Sequence, residues 1–486
     1  LRPNILLICT DQQRYDSLGC YGNAHAQTPH IDGLARGGVR FERCYVQSPV
    51  CGPSRATLFT GKYPPAHGLW ANGVALPPGR THVTRLLADA GYDCGMTGKN
   101  HLAASFGGRT EARQDDGFRL YEWAHDPSQG SPENAYHRWL SGAHPDLYAT
   151  AMAAGTGRTR HTEGLWDTMP TEAHYSHWIG ETATGFLREN RAGGEPWFLL
   201  ANFFDPHHPF VAPEEYLARF DAETLPPPLG GPDDLQNRPP ILAEASRATY
   251  AGHAKGFAEY TPAELRETVR AYYAMVALID DEVGRILAAL DASGQRDDTL
   301  VIFTSDHGEM LGDHGLMLKG PMFYEGAVRV PLILRWPGRL PTGETRGDLV
   351  QWLDLAPTLM DAAGLPPFPG HQGASLLPLA RADADAAALW RDWAICTYRN
   401  SGHPYDVPVL ASMLRHGPHK LVVHHGPPAS ARERGGELYD LDADPHEMTN
   451  LWADPAHRET RYALQEMLTD ALVAAEDRTQ PREAYW

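Results

Sequence analysis

Four apolar stretches of this 486-residue chain run straight into polar residues that can do chemistry. Ile5-Leu6-Leu7-Ile8-Cys9 leads to Asp11-Gln12, and Asp93 to Thr97 leads to Gly98-Lys99-Asn100-His101. Trp197 to Phe203 leads to Asp205-Pro206-His207-His208-Pro209, and Thr299 to Phe303 leads to Asp306-His307-Gly308. Asp11, Gln12, Asp306 and His307 are oxygen and nitrogen donors suited to one hard or borderline divalent cation, Ca2+ first, with Mn2+ or Mg2+ as the other candidates. Any one such pair after a strand is ordinarily a turn former or a helix cap. Two pairs ending two separate apolar strands point to a metal. A fifth segment, Cys51-Gly52-Pro53-Ser54-Arg55-Ala56-Thr57-Leu58-Phe59-Thr60-Gly61, puts a cysteine at the start of a helix, with Pro53 in its first turn and Arg55 one turn on.

For these segments to meet, the strands must lie side by side. Apolar runs of four to six residues alternate with amphipathic stretches, the pattern of an α/β fold whose large, mostly parallel mixed sheet is sandwiched by helices. The carboxyl ends of parallel strands share one edge, so residues hundreds of positions apart can form one polar cluster there. Pro331 to Leu334 reads as a further core strand. The clearest helix opens at Thr261, with Thr as N-cap, Pro262 in the first turn and Glu264 closing a capping box. Its apolar residues from Val269 to Leu290 recur at helical spacing, and Gly294 is a stop signal.

From about residue 105 to 175, and again from Leu225 to Ile241, the chain reads as long loops that decorate a binding face. Trp123, Tyr136, Trp139 and Trp166 are candidates there for the wall of a pocket. Past Leu377 an Ala-rich acidic junction (Ala380 to Leu389) leads to short β-like runs such as Lys420 to Val423 and a final helix near Glu459 to Ala475. The division expected is a catalytic domain over 1–378 and a smaller C-terminal α+β domain over 379–486, with a short antiparallel sheet and a terminal helix.

Forty-two basic against sixty-one acidic side chains give a formal net charge of -19. That balance disfavours nucleic acid and anionic membrane as partners, and an anionic substrate must be drawn in by a local basic pocket. Six cysteines without CxxC spacing argue against a disulfide scaffold or a structural zinc. The opening apolar run is too short for a signal peptide, and no stretch approaches the ~20 apolar residues of a membrane span. A cytoplasmic protein is expected, unless a leader has been removed. The mixed charged and aromatic tail from Arg478 to Trp486 suggests docking in a homo-oligomer, a dimer or tetramer.

The Cys51 segment resembles the signature of the formylglycine-dependent (type I) sulfatases of the alkaline phosphatase superfamily, in which the cysteine of a Cys-x-Pro-Ser-Arg run is oxidised to formylglycine. The resemblance extends over essentially the whole chain. It takes in Asp11 to Gly22, Gly98-Lys99-x-His101, Pro206-His207-x-Pro209, Ser305-Asp306-His307-Gly308, Lys319, Tyr324 to Gly338 and Glu437 to Leu451. It implies an alkaline phosphatase-like fold and an arylsulfatase-like sulfuric ester hydrolase acting on a small-molecule sulfate ester, with a formylglycine-generating enzyme as partner during maturation.

By the same resemblance Cys51, once oxidised, is both nucleophile and metal ligand beside Asp11, Gln12, Asp306 and His307. Its hydrated aldehyde attacks sulfur, and the second hydroxyl expels sulfate by reforming the aldehyde. Arg55 orients the diol, Lys99 and Lys319 bind the sulfate oxygens, and His101 and His207 move protons, in an order left open. His67 and His314 are read as structural. Gln12 departs from the Asp-Asp pair of many sulfatases and resembles the phosphonate monoester hydrolases, whereas Lys99 and His101 are sulfatase-like. Sulfate monoesters, aryl sulfates first, are the expected substrates, with promiscuous activity on phosphate or phosphonate esters. The alternatives are a phosphonate monoester hydrolase or phosphodiesterase, and a non-catalytic metal-binding scaffold with unmodified Cys51.

Overall fold

A computed structural model describes residues 2–477 apart from 106, 129, 155–168, 190–193, 248–254, 400–408 and 426–434. Its centre is an eight-stranded sheet of β1 (Asn4–Thr10), β2 (Val39–Tyr45), β3 (Asp93–Gly98), β4 (Leu120–Trp123), β5 (Trp197–Asn202), β6 (Thr299–Ser305), β7 (Arg329–Arg335) and β8 (Glu344–Gln351). The spatial order is β4-β3-β5-β1-β6-β7-β2-β8. β4, β3, β5, β1 and β6 all run parallel. β7 is antiparallel to both β6 and β2, and β8 runs parallel to β2. All five expected strands are present. β6 is buried along its whole length and β1 from its second residue on, as strands covered on both faces must be, and that is why they read as unbroken apolar runs.

The sheet is wider than the apolar runs suggest. β2 carries Arg40, Glu42 and Arg43 and alternates between buried and half-buried positions, so its signal is alternation, not a run. The helix capped by Thr261 spans Pro262–Ala292 with its capping box intact, and Gly294 follows in the left-handed region. It packs on the Tyr175–Glu189 helix.

The stretch expected to be irregular holds two helices, Ala135–Ala143, capped by the Asn134 side chain, and Pro145–Ala154. Its aromatic residues Tyr136 and Trp123 are core side chains, Tyr136 bordering a small cavity with Tyr175 and Phe204. Tyr136 is fully buried against Trp139, Tyr175 and Trp178, and its hydroxyl donates to the Ala173 carbonyl. Trp123 is buried as well. Trp166 and the tail from Arg478 lie outside the described residues.

Beyond the Ala384–Leu389 helix, β9 (Trp393–Arg399), β10 (Leu410–His416), β11 (His419–His425) and β12 (Gly436–Asp440) form an antiparallel sheet in the order β12-β11-β10-β9. The Arg458–Ala474 helix packs on it, burying Leu464, Leu468 and Ala471. Among the described residues no helix is long and apolar enough to cross a membrane.

Candidate active site

Each expected site residue sits just past a strand or on one helix, except Lys319, which comes from the long connection between β6 and β7. Asp11 and Gln12 follow β1, Lys99 and His101 follow β3, His207 lies beyond β5, and Asp306 and His307 follow β6. Since these four strands are parallel neighbours, their carboxyl ends deliver the side chains to one edge. Cys51 is the first residue of the Cys51–Thr60 helix, whose ten residues are all buried. A helix with no solvent face needs no amphipathic stripe, and this one has Gly52, Pro53 and Ala56 among its residues.

Cys51 Sγ is the meeting point. Lys319 Nζ stands 2.9 Å from it, His307 Nε2 3.1 Å, Asp11 Oδ1 3.6 Å and Lys99 Nζ 3.7 Å. Burial and the Asp11 carboxylate push the Cys51 thiol up, but Lys319, Lys99 and His307 outweigh them and bring it down to about 5. Arg55, 1% exposed, donates from Nε to Asp306 Oδ2 at 2.8 Å, from Nη2 to Asp11 Oδ2 at 3.1 Å and from Nη1 to the Lys99 carbonyl at 3.0 Å. Lys99 Nζ reaches Asp11 Oδ2 at 2.6 Å. Burial works against the Asp11 carboxylate, yet Lys99, Lys319 and Arg55 hold it well below the usual range. Arg55, Lys99 and Lys319 thus face two carboxylates around Cys51, a basic spot in a molecule of net charge -19 that suits an anion.

Asp11, Cys51, Asp306 and His307 each offer a ligand atom within 4.8 Å of the others, and all four are buried. His307 Nδ1 lies 2.8 Å from the Gly308 carbonyl. With Nδ1–H held there, Nε2 faces Asp11 Oδ1 at 3.5 Å and Asp306 Oδ1 at 3.7 Å; burial opposes a proton on it, but Asp306 and Cys51 favour one, and a cation would take that proton's place. Two carboxylates and one oriented imidazole fit a hard or borderline divalent cation.

Gln12, in the left-handed region at φ 68°, accepts from Lys319 Nζ at 2.9 Å through Oε1. Its Nε2 donates to Glu309 Oε2 and lies 3.3 Å from His208 Nδ1. Glu309 is fully buried and also accepts the N–H groups of Leu311 at 2.8 Å and Leu318 at 2.5 Å. The negative charge that Gln12 lacks therefore stands one side chain further out. His207 stacks on His208 with ring centroids 4.0 Å apart, so of the His-His doublet it is His208 that touches Gln12.

His101 Nδ1 is buried and makes no hydrogen bond with another of the described residues. Burial first, then Lys99 and Arg55, holds the His101 imidazole well below its ordinary range; burial, Lys319 and His208 do the same for His207. Both are therefore neutral. Neither touches Cys51 by a hydrogen bond, while Lys99, Lys319 and Arg55 do reach Cys51 or its carboxylate neighbours. His67 bonds to Thr57 and Leu69 and His314 stacks on Tyr324, both away from Cys51.

Sequence reasoning missed Asn72, whose Oδ1 accepts the Gly52 N–H at 2.8 Å beside Cys51, and also Glu309 and Glu111. Glu309 was in reach, two places after His307. Nothing local marks Asn72 or Glu111, which lie in stretches without apolar periodicity.

Residues 3–365 match the family model described as Sulfatase. The chain belongs to the sulfatase family. It is a sulfuric ester hydrolase, with residues 312–474 also matching the model described as N-sulphoglucosamine sulphohydrolase, C-terminal. This sulfatase is 31% identical to the uncharacterized sulfatase YidJ of Escherichia coli, over 97% of its own length and 87% of the relative's. It is 30% identical to an arylsulfatase of Clostridium perfringens, covering 98% and 96% of the two chains. The crystal structure of a phosphonate monoester hydrolase of Agrobacterium radiobacter superimposes with a TM-score of 0.82 at 27% identity, covering 98% of this sulfatase and 97% of that chain.

Proposed function

We propose that this sulfatase hydrolyses sulfate monoesters, aryl sulfates first, at Cys51 converted to formylglycine. The observation that carries the reading is the position of residue 51, at a helix start, within 3.7 Å of two lysines and within 3.1 Å of His307. A divalent cation held by Asp11, Asp306, His307 and residue 51, with Gln12 at its side, would supply the Lewis acidity that makes a hydroxyl on residue 51 a nucleophile.

Lys99 and Lys319 bind the sulfate oxygens and meet the charge that builds on them as the ester bond breaks. Arg55 keeps Asp11 and Asp306 in place and offsets their charge. His101 and His207 are neutral in the free protein, and a bound sulfate anion beside them favours their protonated forms. The one that becomes protonated supplies its proton to the leaving oxygen, and the other, staying neutral, takes the proton of the second hydroxyl on residue 51, so that the aldehyde reforms and sulfate leaves. The site uses the N-terminus of the Cys51–Thr60 helix for the same end, since its dipole favours an anion.

A second reading, phosphonate monoester hydrolysis, is favoured by Gln12 and by the likeness to the Agrobacterium enzyme. One metal-loaded preparation decides between them through kcat/KM for 4-nitrophenyl sulfate over that for a phenylphosphonate 4-nitrophenyl ester. A ratio well above one is expected; a ratio well below one gives the second reading. The mass of the Cys51 peptide tests the nucleophile. Conversion removes about 18 Da, and a peptide of unaltered mass from active enzyme would sink it.

A further inference from the structure

Glu111 is a buried carboxylate, 4% exposed, that the chemistry above does not use. Its oxygens accept four N–H donors: the backbone of His101 at 2.8 Å, the backbone of Leu102, Asn100 Nδ2 at 3.2 Å and the Trp123 indole at 2.9 Å. Burying a carboxylate on neutral donors is costly, and burial does push the Glu111 carboxyl up. Something must be gained where it sits.

What sits there is the turn that carries Lys99 and His101. His101 has a φ of 64°, a left-handed conformation that a bulky residue adopts only when its surroundings impose it. The N–H groups of His101 and Leu102 converge on one carboxylate, the arrangement of a backbone nest, which binds anions. Here the anion comes from the chain itself. The other side of the turn is held too: the Lys99 N–H donates to the Asn202 carbonyl at 3.2 Å, and the Lys99 carbonyl accepts from Arg55 Nη1 at 3.0 Å and from Asn202 Nδ2. Trp123 ends β4 and pairs with Gly98 at the end of β3, so its bond to Glu111 locks the carboxylate to the sheet edge.

We infer that Glu111 is the positioning residue of this active site: by filling the nest of His101 and Leu102 it fixes the turn that aims Lys99 at Asp11 and sets His101 beside it. The inference rests on the proposed ester hydrolysis at Cys51. The Glu111 oxygens are engaged by these four donors of the protein, so removing its charge should slow chemistry more than it weakens binding, through a small misplacement of Lys99 and His101.

The test is Glu111→Gln, which keeps size but loses the charge and one acceptor. Turnover of whichever ester the wild type prefers should fall about 10- to 100-fold in kcat with KM changed less than about threefold. Combined with His101→Ala, the losses should not multiply, because the two changes disable one unit. A wild-type kcat in Glu111→Gln, or losses that multiply in the double variant, overturns the inference. Should Glu111→Gln not fold, Asn100→Asp sets a second carboxylate against Glu111 while leaving it in place. The same fall in kcat supports the inference, and an unchanged kcat overturns it. If the wild type turns over neither ester, the functional reading fails by itself, and hydrogen exchange of the peptide spanning Lys99 to Leu102 judges Glu111. Faster exchange there alone in Glu111→Gln supports the inference, and unchanged exchange overturns it.

Discussion

Lys319 donates to Gln12: its Nζ stands 2.9 Å from the amide oxygen and, on its other side, 2.9 Å from Cys51 Sγ. The amide can serve this lysine because its own N–H group is taken up by Glu309. Gln12 and Glu309 therefore work as a pair, an amide inside and a carboxylate outside.

That pairing makes a charge-exchange experiment informative. Gln12→Asp brings a second buried carboxylate against Glu309 and should cost about 3 kcal/mol, the scale of an uncompensated buried charge. Glu309→Gln added to it should recover most of the loss. Thermal melts of the two variants and the wild type check this; a double variant less stable than Gln12→Asp would contradict the pairing.

Glu309→Gln alone should loosen both the Gln12 amide and the Leu318 N–H beside Lys319. Outer partners of metal ligands typically matter by about 10- to 100-fold in affinity, and a loss of that size is expected in a calorimetric titration with Ca2+ or Mn2+. The titration reads binding without turnover.

Arg55→Lys is not conservative here, because three separate guanidinium nitrogens span Asp306, the Lys99 carbonyl and Asp11, and the single nitrogen of an ammonium does not have that reach. At least one fully buried carboxylate loses its partner, and a destabilisation of about 3 to 5 kcal/mol is expected by urea unfolding. A change under about 1 kcal/mol would mean that Lys99 and Lys319 suffice.

Gly98 joins β3 to the Lys99 turn with φ 98°, and a side chain there would run into the Asn202 carbonyl. Gly98→Ala should therefore either prevent folding or displace Lys99, lowering kcat at least tenfold, whereas Gly79→Ala, with φ 79° but open space around it, should leave kcat unchanged.

His67 supplies a pH signature of stability. Its Nδ1 accepts the Leu69 N–H at 3.1 Å, its Nε2 lies 3.3 Å from Thr57 Oγ1, and burial brings its imidazole down to about 3. The unfolded chain takes up this proton near pH 6.5 and the folded chain does not, so the contribution is complete above pH 6.5 and is lost as pH falls from there towards 3. Between pH 7.5 and pH 5 that is about 2 kcal/mol. His67→Gln should be less stable than wild type at pH 7.5, and the gap should narrow by about that amount at pH 5 in urea unfolding.

Much of the site is legible in the amino-acid sequence, because each residue type announces itself after an apolar run or within one short segment. Asp11, Asp306 and His307 follow strands that are buried on both faces and therefore mostly apolar, so their ends are sharp in the sequence. Cys51 and Arg55 share a helix, and spacing alone puts them one turn apart. The Thr261 cap is readable because its bonds are made within four residues.

What tertiary structure decided are the partners made across the chain. Gln12 meets Glu309 and Lys319 some three hundred residues on, and His208, not His207, faces it. Tyr136 and Trp123 turn inward to a core where loops facing a ligand were expected. Glu111 finds its four donors only because β3 and β4 lie side by side. The physical reason is common to all: a strand's burial and a helix's cap depend on neighbours in sequence, whereas a buried carboxylate is tolerated only where distant donors converge on it.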